Sequence, residues 1–477
     1  MRSTEHEVIV VGGGPTGLTL AGELALAGVD VAVVERRADH RLPESRASGL
    51  HARTMEMFDQ RGIADRFLRD GQRSTGAVFG TIGVDIGDLP TRHNYLVGLW
   101  QNRIESVLAD WVTELDVPVH TGCEVAGYSQ DEVGVVVELS DGTRSAARYL
   151  IGCDGGRSRI RRCAGIDFTG WDPTFSCLVA EAEVDEVPPW ATALRRRSGP
   201  AEARLVVVEA ARRSGEPTVA DLREALVAEH GTDYGVRNPT WISRFGDTSR
   251  QAVSYRDRRV LLAGDAAHVH APVSGQGLNL GVQDAMNLGW KLAQVVRGVS
   301  SEALLDSYGS ERHPVAARVL RHTMAQGALL RQDERTRALR DITAELLSLY
   351  EPRQRVGAMI SGLDIRYDVG SGHPLMGRRI PDVEVMTPEG PRRVFSLLHR
   401  ARPVLLNLGG PGFDPSPWGH RVQVTDGEYH GEWELPVLGT VSAAKTILIR
   451  PDGYVAWAGN DTGAGLADAV TRWFGDR

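Results

Sequence analysis

The chain has 477 residues, with 54 Lys or Arg against 62 Asp or Glu, a formal net charge of −8. At roughly 150 residues per domain this is two or three domains, and 42% hydrophobic with 24% charged residues is the balance of a folded globular chain, not a disordered one. A mildly acidic protein without a long run of like charges repels a phosphate backbone, so no nucleic-acid partner is expected.

The first seven residues are acidic where a secretory leader needs a basic start, and the apolar stretch from Val8 to Gly22 is short of a membrane span and broken by Glu23. A cytoplasmic protein without a membrane partner is expected. Val8–Val11 reads as a buried parallel strand, Leu18–Ala27 as a helix stopped by Gly28, and Val29–Val34 as the next strand, closing on Glu35. Strand, Gly-rich turn, helix and strand within about 30 residues make a βαβ unit.

The turn is Gly12-Gly13-Gly14-Pro15-Thr16-Gly17, a GxGxxG. Gly12 permits the tight turn, Gly14 lets a pyrophosphate approach the backbone, and Gly17 lets helix and strand pack closely. The helix N-terminus offers free N–H groups and a positive dipole to phosphates. Glu35, followed by Arg36, stands where an acid grips ribose hydroxyls. This motif leaves FAD and NAD(P) both open.

Two further strands, Tyr149–Gly152 and Val260–Ala263, each lead into a Gly and an Asp. Between them, residues 170 to 255 alternate apolar and polar, as in Leu178–Val184, the pattern of antiparallel strands with one covered face. Residues 74 to 100 have the same texture, and the two segments are expected to form one inserted sheet domain. A helix is expected from Leu278 to Val296, and a long helical region from Glu302 to about Tyr350 with Pro314 as its break. Near 368 the texture returns to strands and turns.

The four cysteines, Cys123, Cys153, Cys163 and Cys177, show neither a CxxC pair nor a zinc spacing and fit a reducing compartment. His268 and His270 near Asp265 lack a third ligand at a recognisable spacing, so no metal is expected.

After these strands stand Asp154-Gly155-Gly156-Arg157-Ser158-Arg159-Ile160-Arg161 and Gly264-Asp265-Ala266-Ala267-His268, the latter followed by Pro272 and Gly275-Gln276-Gly277-Leu278-Asn279. The first resembles the DGxxSxxR motif, and the second the distal FAD motif, of the class A flavoprotein aromatic hydroxylases, the para-hydroxybenzoate hydroxylase type. Within that family the resemblance is to the larger enzymes acting on polyketides, and among these to the rifamycin-hydroxylating members. It rests also on Gly49-Leu50-His51-Ala52-Arg53, Arg450–Trp457 and Arg472-Trp473-Phe474-Gly475, and covers essentially the whole chain.

The resemblance implies an α/β architecture: a Rossmann-like FAD-binding domain (1–73, 101–169 and 256–300), an antiparallel-sheet substrate domain inserted into it (74–100 and 170–255), a helical connection (301–368) and a thioredoxin-like C-terminal domain (369–477). That last domain contains no cysteine, which leaves it packing, entrance-covering or association rather than thiol chemistry. The resemblance assigns FAD contacts to Asp154, Asp265, Gly277, Leu278 and Asn279, and also to Arg46, Gln101 and Val125. A helix N-terminus at Leu278-Asn279 would favour negative charge on a reduced flavin.

With one dinucleotide fingerprint, NADPH has no Rossmann domain of its own and binds transiently. The family chemistry uses molecular oxygen: a flavin C4a-hydroperoxide hydroxylates an electron-rich phenolic carbon, so no protein nucleophile or general base is assigned. The expected substrate is an aromatic polyketide of the rifamycin type, hydroxylated so that its macrocycle opens. A biosynthetic hydroxylase of a fused-ring polyketide such as an angucyclinone shares every flavin motif, and a flavin-containing sequestering protein without turnover is a reading of another class. An acidic, planar naphthohydroquinone suits Arg, which pairs with a phenolate and lies flat on a ring. Arg196 and Arg213 are the expected substrate contacts, and a monomer or homodimer the expected assembly.

Overall fold

The computed structural model describes residues 4–39, 49–189, 191–193, 201–209, 211–331, 333–409, 418, 421–442, 444–460 and 465–475. The chain opens with β1 (Thr4–Val11), α1 (Pro15–Leu26) and β2 (Val31–Glu35). Then come α2 (Ala52–Asp59), the short strands β3 (Gln72–Ser74) and β4 (Leu96–Gly98), α3 (Gln101–Glu114), β5 (Val119–Thr121) and β6 (Arg144–Gly152). The distal half of the nucleotide-binding layer is β10 (Val260–Leu262) and α4 (Gln276–Val296); between β6 and β10 lie β7 (Ser176–Val184), β8 (Ala201–Val208) and β9 (Arg237–Gly246).

β10, β6, β1, β2 and β5 lie side by side, all parallel. Val8, Val10, Val33, Leu150 and Leu261 are fully buried, as in a parallel sheet covered on both faces. The helix expected from Leu278 begins two residues earlier, at Gln276, after the left-handed pair Ser274 (φ 58°) and Gly275 (φ 62°).

β7, β8 and β9 form an antiparallel sheet in the order β8-β7-β9. Alternation along β7 and β8 sends Leu178, Ala180, Ala182, Ala203, Leu205 and Val207 to one face, where helix Val219–His230 covers them. The other face looks back toward the parallel sheet. Residues 74–100 do not join this sheet among the described residues, which corrects the expectation of one inserted sheet. β3 pairs with β4, and the hairpin Gly76–Phe79/Ile82–Asp85 pairs with itself. Ala77, Ile82 and Val84 bury instead against Leu347, Ala358 and Ile360 of the helical region, which offers the nearest apolar surface.

That region comprises α5 (Ala303–Ala328) and the helices Glu334–Ser348 and Tyr350–Ser361. Pro314 lies inside α5 and does not end it. Buried Glu311 and Arg312 before it, and Val315, Ala316 and Val319 after it, hold both halves against the core, so tertiary packing outweighs the local cost of proline. The break falls after Ala328.

The C-terminal part contains β11 (Val404–Asn407), β12 (Gln423–Asp426), β13 (Thr446–Ile449), β14 (Val455–Gly459) and α6 (Leu466–Phe474). Their order is β12-β11-β13-β14, with β11/β12 parallel, the other pairs antiparallel, and a closing helix. This is the thioredoxin-like arrangement. Its seam with the rest of the molecule includes a buried ionic network beside the packing of Trp290 on Trp473 and Phe474. Arg450 donates to Glu311 at 2.6 Å, Lys291 to Glu311 at 2.8 Å, Asn287 to the same carboxylate at 2.6 Å, and Arg61 pairs with Glu23 while donating to the Pro451 carbonyl at 2.8 Å. Burial pushes the Lys291 ammonium down to about 8. Burial would raise the Glu311 carboxyl, but Arg450 and Lys291 outweigh it and hold the group well below the usual carboxylate range.

Candidate functional site

A cavity of about 2000 Å³ lies between the parallel sheet and the β7–β9 sheet. One small-molecule site takes roughly 300–1,000 Å³, so this one has room for a dinucleotide and a second ligand together.

One end is built by the β1–α1 turn. Gly12 has φ +109°, and a Cβ there would fall into the Cys153 carbonyl; a Cβ on Gly17 would fall into the Gly12 carbonyl. Gly14 differs. A Cβ on it would meet nothing closer than Glu105 Oε1 at 4.0 Å, since the residue faces the cavity with Pro15 and Thr16. The protein itself therefore does not require Gly14. A group that must approach its backbone does.

The N-termini of α1 and α4 both open on the cavity, through Gly14 to Thr16 and through Gly275, Gly277 and Leu278, and neither has a side-chain cap. Two uncapped helix N-termini leave backbone N–H donors and positive dipole for a ligand's negative groups. Asp265 stands exposed between them on the cavity wall, and Gln101 lines the wall from the first turn of α3. These are the features FAD needs: a phosphate cradle, acceptors for its hydroxyl-bearing chain, and a dipole for the flavin. The residues present fit it.

Other expected cofactor residues act one layer back. Glu35 accepts the Gly13 N–H at 2.6 Å and the Arg37 backbone N–H at 2.8 Å. Burial pushes its carboxyl up, and Arg37 with the two backbone donors outweighs this and holds it below its ordinary value. Arg36 is exposed to solvent; Arg37, which the motif does not single out, bridges Glu35 (3.0 Å) and buried Glu105 (2.9 Å). Glu105 in turn accepts from Gln101 at 2.9 Å, so a polar chain runs from the fingerprint to the cavity wall.

Asp154 caps helix Arg159–Cys163 through the N–H groups of Arg159 (2.6 Å) and Ile160 (3.1 Å), with its other oxygen buried. Asn279 is buried and ties the loop before α2 to α4, accepting from His51 N–H at 2.8 Å and donating to the Gly49 and Gly275 carbonyls. Val125 is buried in strand Val125–Gln130 and does not line the cavity. Arg46 lies outside the described residues.

The Gly264-Asp265 turn is held from below by Asp284. That buried carboxylate accepts from Gly264 N–H at 3.2 Å, contacts His268 Nε2 at 2.6 Å and pairs with Arg312 at 2.7 Å. His268 is thus committed to Asp284. His270 lines the cavity, and burial pushes its imidazole down to about 4, so it is neutral at physiological pH. Among the described residues, no group of three or more His, Cys, Asp or Glu assembles for a metal ion, and no helix is long and apolar enough to cross a membrane.

The other end is the outward face of the β7–β8 ladder: Val179 opposite Val206, and Glu183 opposite Glu202, with Arg204 between and Phe245 from β9 beyond. Arg204 is buried, 8% exposed, with its guanidinium 4.8 Å from the Trp100 ring, 5.8 Å from the Trp241 ring and 3.7 Å from Glu181. Sequence reasoning favoured different arginines. Arg213 is an exposed residue paired with Asp221 at 2.9 Å and with Glu224, and it does not line the cavity. Arg196 lies outside the described residues. Arg204 could have been found as a charged residue on the strand face where Val206 and Val208 also point.

An FAD binding domain model matches residues 5–323, and an aromatic-ring hydroxylase C-terminal model matches 373–476. The chain is 41% identical to a rifampicin monooxygenase of Streptomyces venezuelae over 486 residues, covering 98% of each protein. It superposes on the anhydrotetracycline hydroxylase OxyS from Streptomyces rimosus with TM-score 0.90 at 38% identity, covering 99% of each chain. On CabE, an aromatic hydroxylase from angucycline biosynthesis, the TM-score is 0.89 at 41% identity, covering 99% of this chain and all of the other. The chain belongs to the FAD-dependent aromatic-ring hydroxylases and is a flavoprotein monooxygenase.

Proposed function

We propose that this hydroxylase uses NADPH and oxygen to place one hydroxyl group on the naphthohydroquinone of a rifamycin-type antibiotic, opening the macrocycle and inactivating the drug. The observation carrying this reading is the cavity itself: about 2000 Å³, with a dinucleotide cradle at one end and a sheet wall bearing Arg204 beneath two tryptophans at the other. Bound FAD supplies the activation of oxygen and the transfer of one oxygen atom; NADPH supplies two electrons, and the second oxygen atom leaves as water.

The chain's own residues bind and orient. Gly14 and the α1 N-terminus take the pyrophosphate, and Asp265 and Gln101 take the hydroxyl-bearing chain. The α4 N-terminus at Gly277 and Leu278 stabilises negative charge on the ring system. Arg204 faces the aromatic substrate. A guanidinium beside a phenolate keeps it ionised and the ring electron-rich, which electrophilic hydroxylation requires. Val179, Val206 and Phe245 supply apolar wall around the reacting carbon and keep water from it.

The test is mass spectrometry of rifampicin incubated with the FAD-loaded protein, NADPH and oxygen. A product heavier by one oxygen, formed together with rifampicin-stimulated NADPH oxidation, is expected. A second reading, hydroxylation of a fused-ring polyketide in a biosynthetic route, is favoured by the likeness to CabE and OxyS over nearly the full chain. Oxygen added to an angucyclinone and none to rifampicin would replace the first reading with the second.

A further inference from the structure

The cofactor cradle and the sheet wall leave one corner of the cavity without a role. Arg69, Arg73 and Arg103 line its rim. Arg69 caps the end of helix Ala64–Leu68, Arg73 is the middle residue of β3, and Arg103 stands in the first turn of α3. The ladder that pairs Gln72 with Gly98 draws β3 to within two residues of the α3 N-cap, Trp100, and so brings the three stretches together.

All three arginines are exposed. Asp70 is the acid at this corner, paired with Arg103 at 2.7 Å, and Arg73 lies over the Tyr95 ring at 4.9 Å. Among the described residues Arg103 is paired with Asp70 while Arg69 and Arg73 make no ion pair, which leaves positive charge on this rim of a chain whose net charge is −8. The N-terminus of α3, which has no side-chain cap, adds its dipole. Guanidinium groups at the mouth of a cleft draw in and hold phosphates, and such a rim raises the local concentration of an anionic ligand. With the pyrophosphate of FAD assigned to α1, these arginines are left for a different phosphate-bearing molecule.

We propose that Arg69, Arg73 and Arg103 form the docking site for the phosphate groups of the reduced nicotinamide nucleotide. This rests on the reading of the protein as an NADPH-dependent hydroxylase. The nucleotide's phosphates engage the rim from solvent, and its nicotinamide reaches the cavity interior. Such an exposed site suits a molecule that must arrive and leave in every turnover while FAD stays.

The experiment compares the FAD-loaded parent with the Arg69→Gln/Arg73→Gln double variant. Binding of NADP+ or NAD+ is measured by calorimetry without aromatic substrate at two salt concentrations, alongside the KM for NADPH and NADH. An exposed contact contributes no more than about fivefold, so a rise of about tenfold in Kd for NADP+ is expected for the pair. The salt dependence should be weaker than in the parent. Flavin content and KM for the aromatic substrate should stay unchanged. An equal rise for both nucleotides places the pyrophosphate on the rim, and a rise confined to the NADP form places the 2′-phosphate there. Unaltered Kd and salt dependence for both, with a parent that does oxidise NADPH, overturn the site alone. A parent that neither binds NADP+ nor oxidises NADPH overturns the underlying reading as well.

Discussion

At the β1–α1 end of the cavity, position is set by backbone against backbone: Gly12 lies on the Cys153 carbonyl and Gly17 on the Gly12 carbonyl. At the β7–β9 end it is set by side chain against side chain: Arg204 under Trp100, with Val179 opposite Val206. The first construction has almost no freedom in residue type and much in what its ligand does next. The second keeps its strand pairing while any outward residue changes. One molecule can thus hold a fixed cofactor and still vary its substrate.

Gly17 tolerates a side chain least, since a Cβ there falls on the Gly12 carbonyl. Gly17→Val should destabilise the fold by about 3 kcal/mol or more, read as a lowered Tm, because the side chain has no space. Gly14→Val, three residues earlier in the same motif, should leave Tm near the parent's and abolish flavin binding, giving colourless protein. A yellow, active Gly14→Val enzyme would falsify the cradle. Next in size, Asp265→Ala should raise the FAD dissociation constant by about tenfold to a hundredfold, the worth of a charge-assisted hydrogen bond, with the fold intact. Flavin retention measured during dialysis decides this.

The sheet end should answer differently. Arg204→Gln is expected to raise KM for the aromatic substrate about tenfold with unchanged flavin content. If both KM and substrate-stimulated NADPH oxidation match the parent, the guanidinium does not face substrate. A smaller effect concerns His270. Its pKa is lowered from the unfolded value of about 6.5 to about 4 in the fold. The unfolded chain therefore binds the proton first, and stability is lost as pH falls from 6.5 toward 4. Tm of the flavin-free protein should fall less over that window in His270→Gln than in the parent. Least of all, Arg213→Gln should change neither KM nor coupling, since that side chain is engaged with Asp221 and Glu224 at the surface.

The same division explains what could be read from the residues alone. The tight packing at Gly12 and Gly17 is legible because the turn they make admits few alternatives, whereas Asp265 stands out only through the resemblance of its Gly-Asp pair to a family motif. Arg204 was not legible, because what separates it from Arg213 is cross-strand register: Glu181 opposite Arg204 is a fact of pairing, not of spacing. The hairpin at 76–85 had the right texture and the wrong expected neighbour, since alternation fixes a buried face without saying what buries it. Pro314 looked like a break because local cost is visible in sequence and the ion pairs around Glu311 and Arg312 are not.

Those ion pairs bear on how such proteins can be recombined. Glu311 on α5 and Lys291 on α4 share their charge with Arg450, some 140 positions further along the chain. A buried partner left alone costs about 3–5 kcal/mol. A hybrid that joins residues 1–368 of this chain to a foreign tail therefore keeps the pairing only where that tail supplies the counterparts of Arg450 and Asp452. The natural unit of exchange in this molecule is that non-contiguous set, and any single cut between Glu311 and Arg450 divides it.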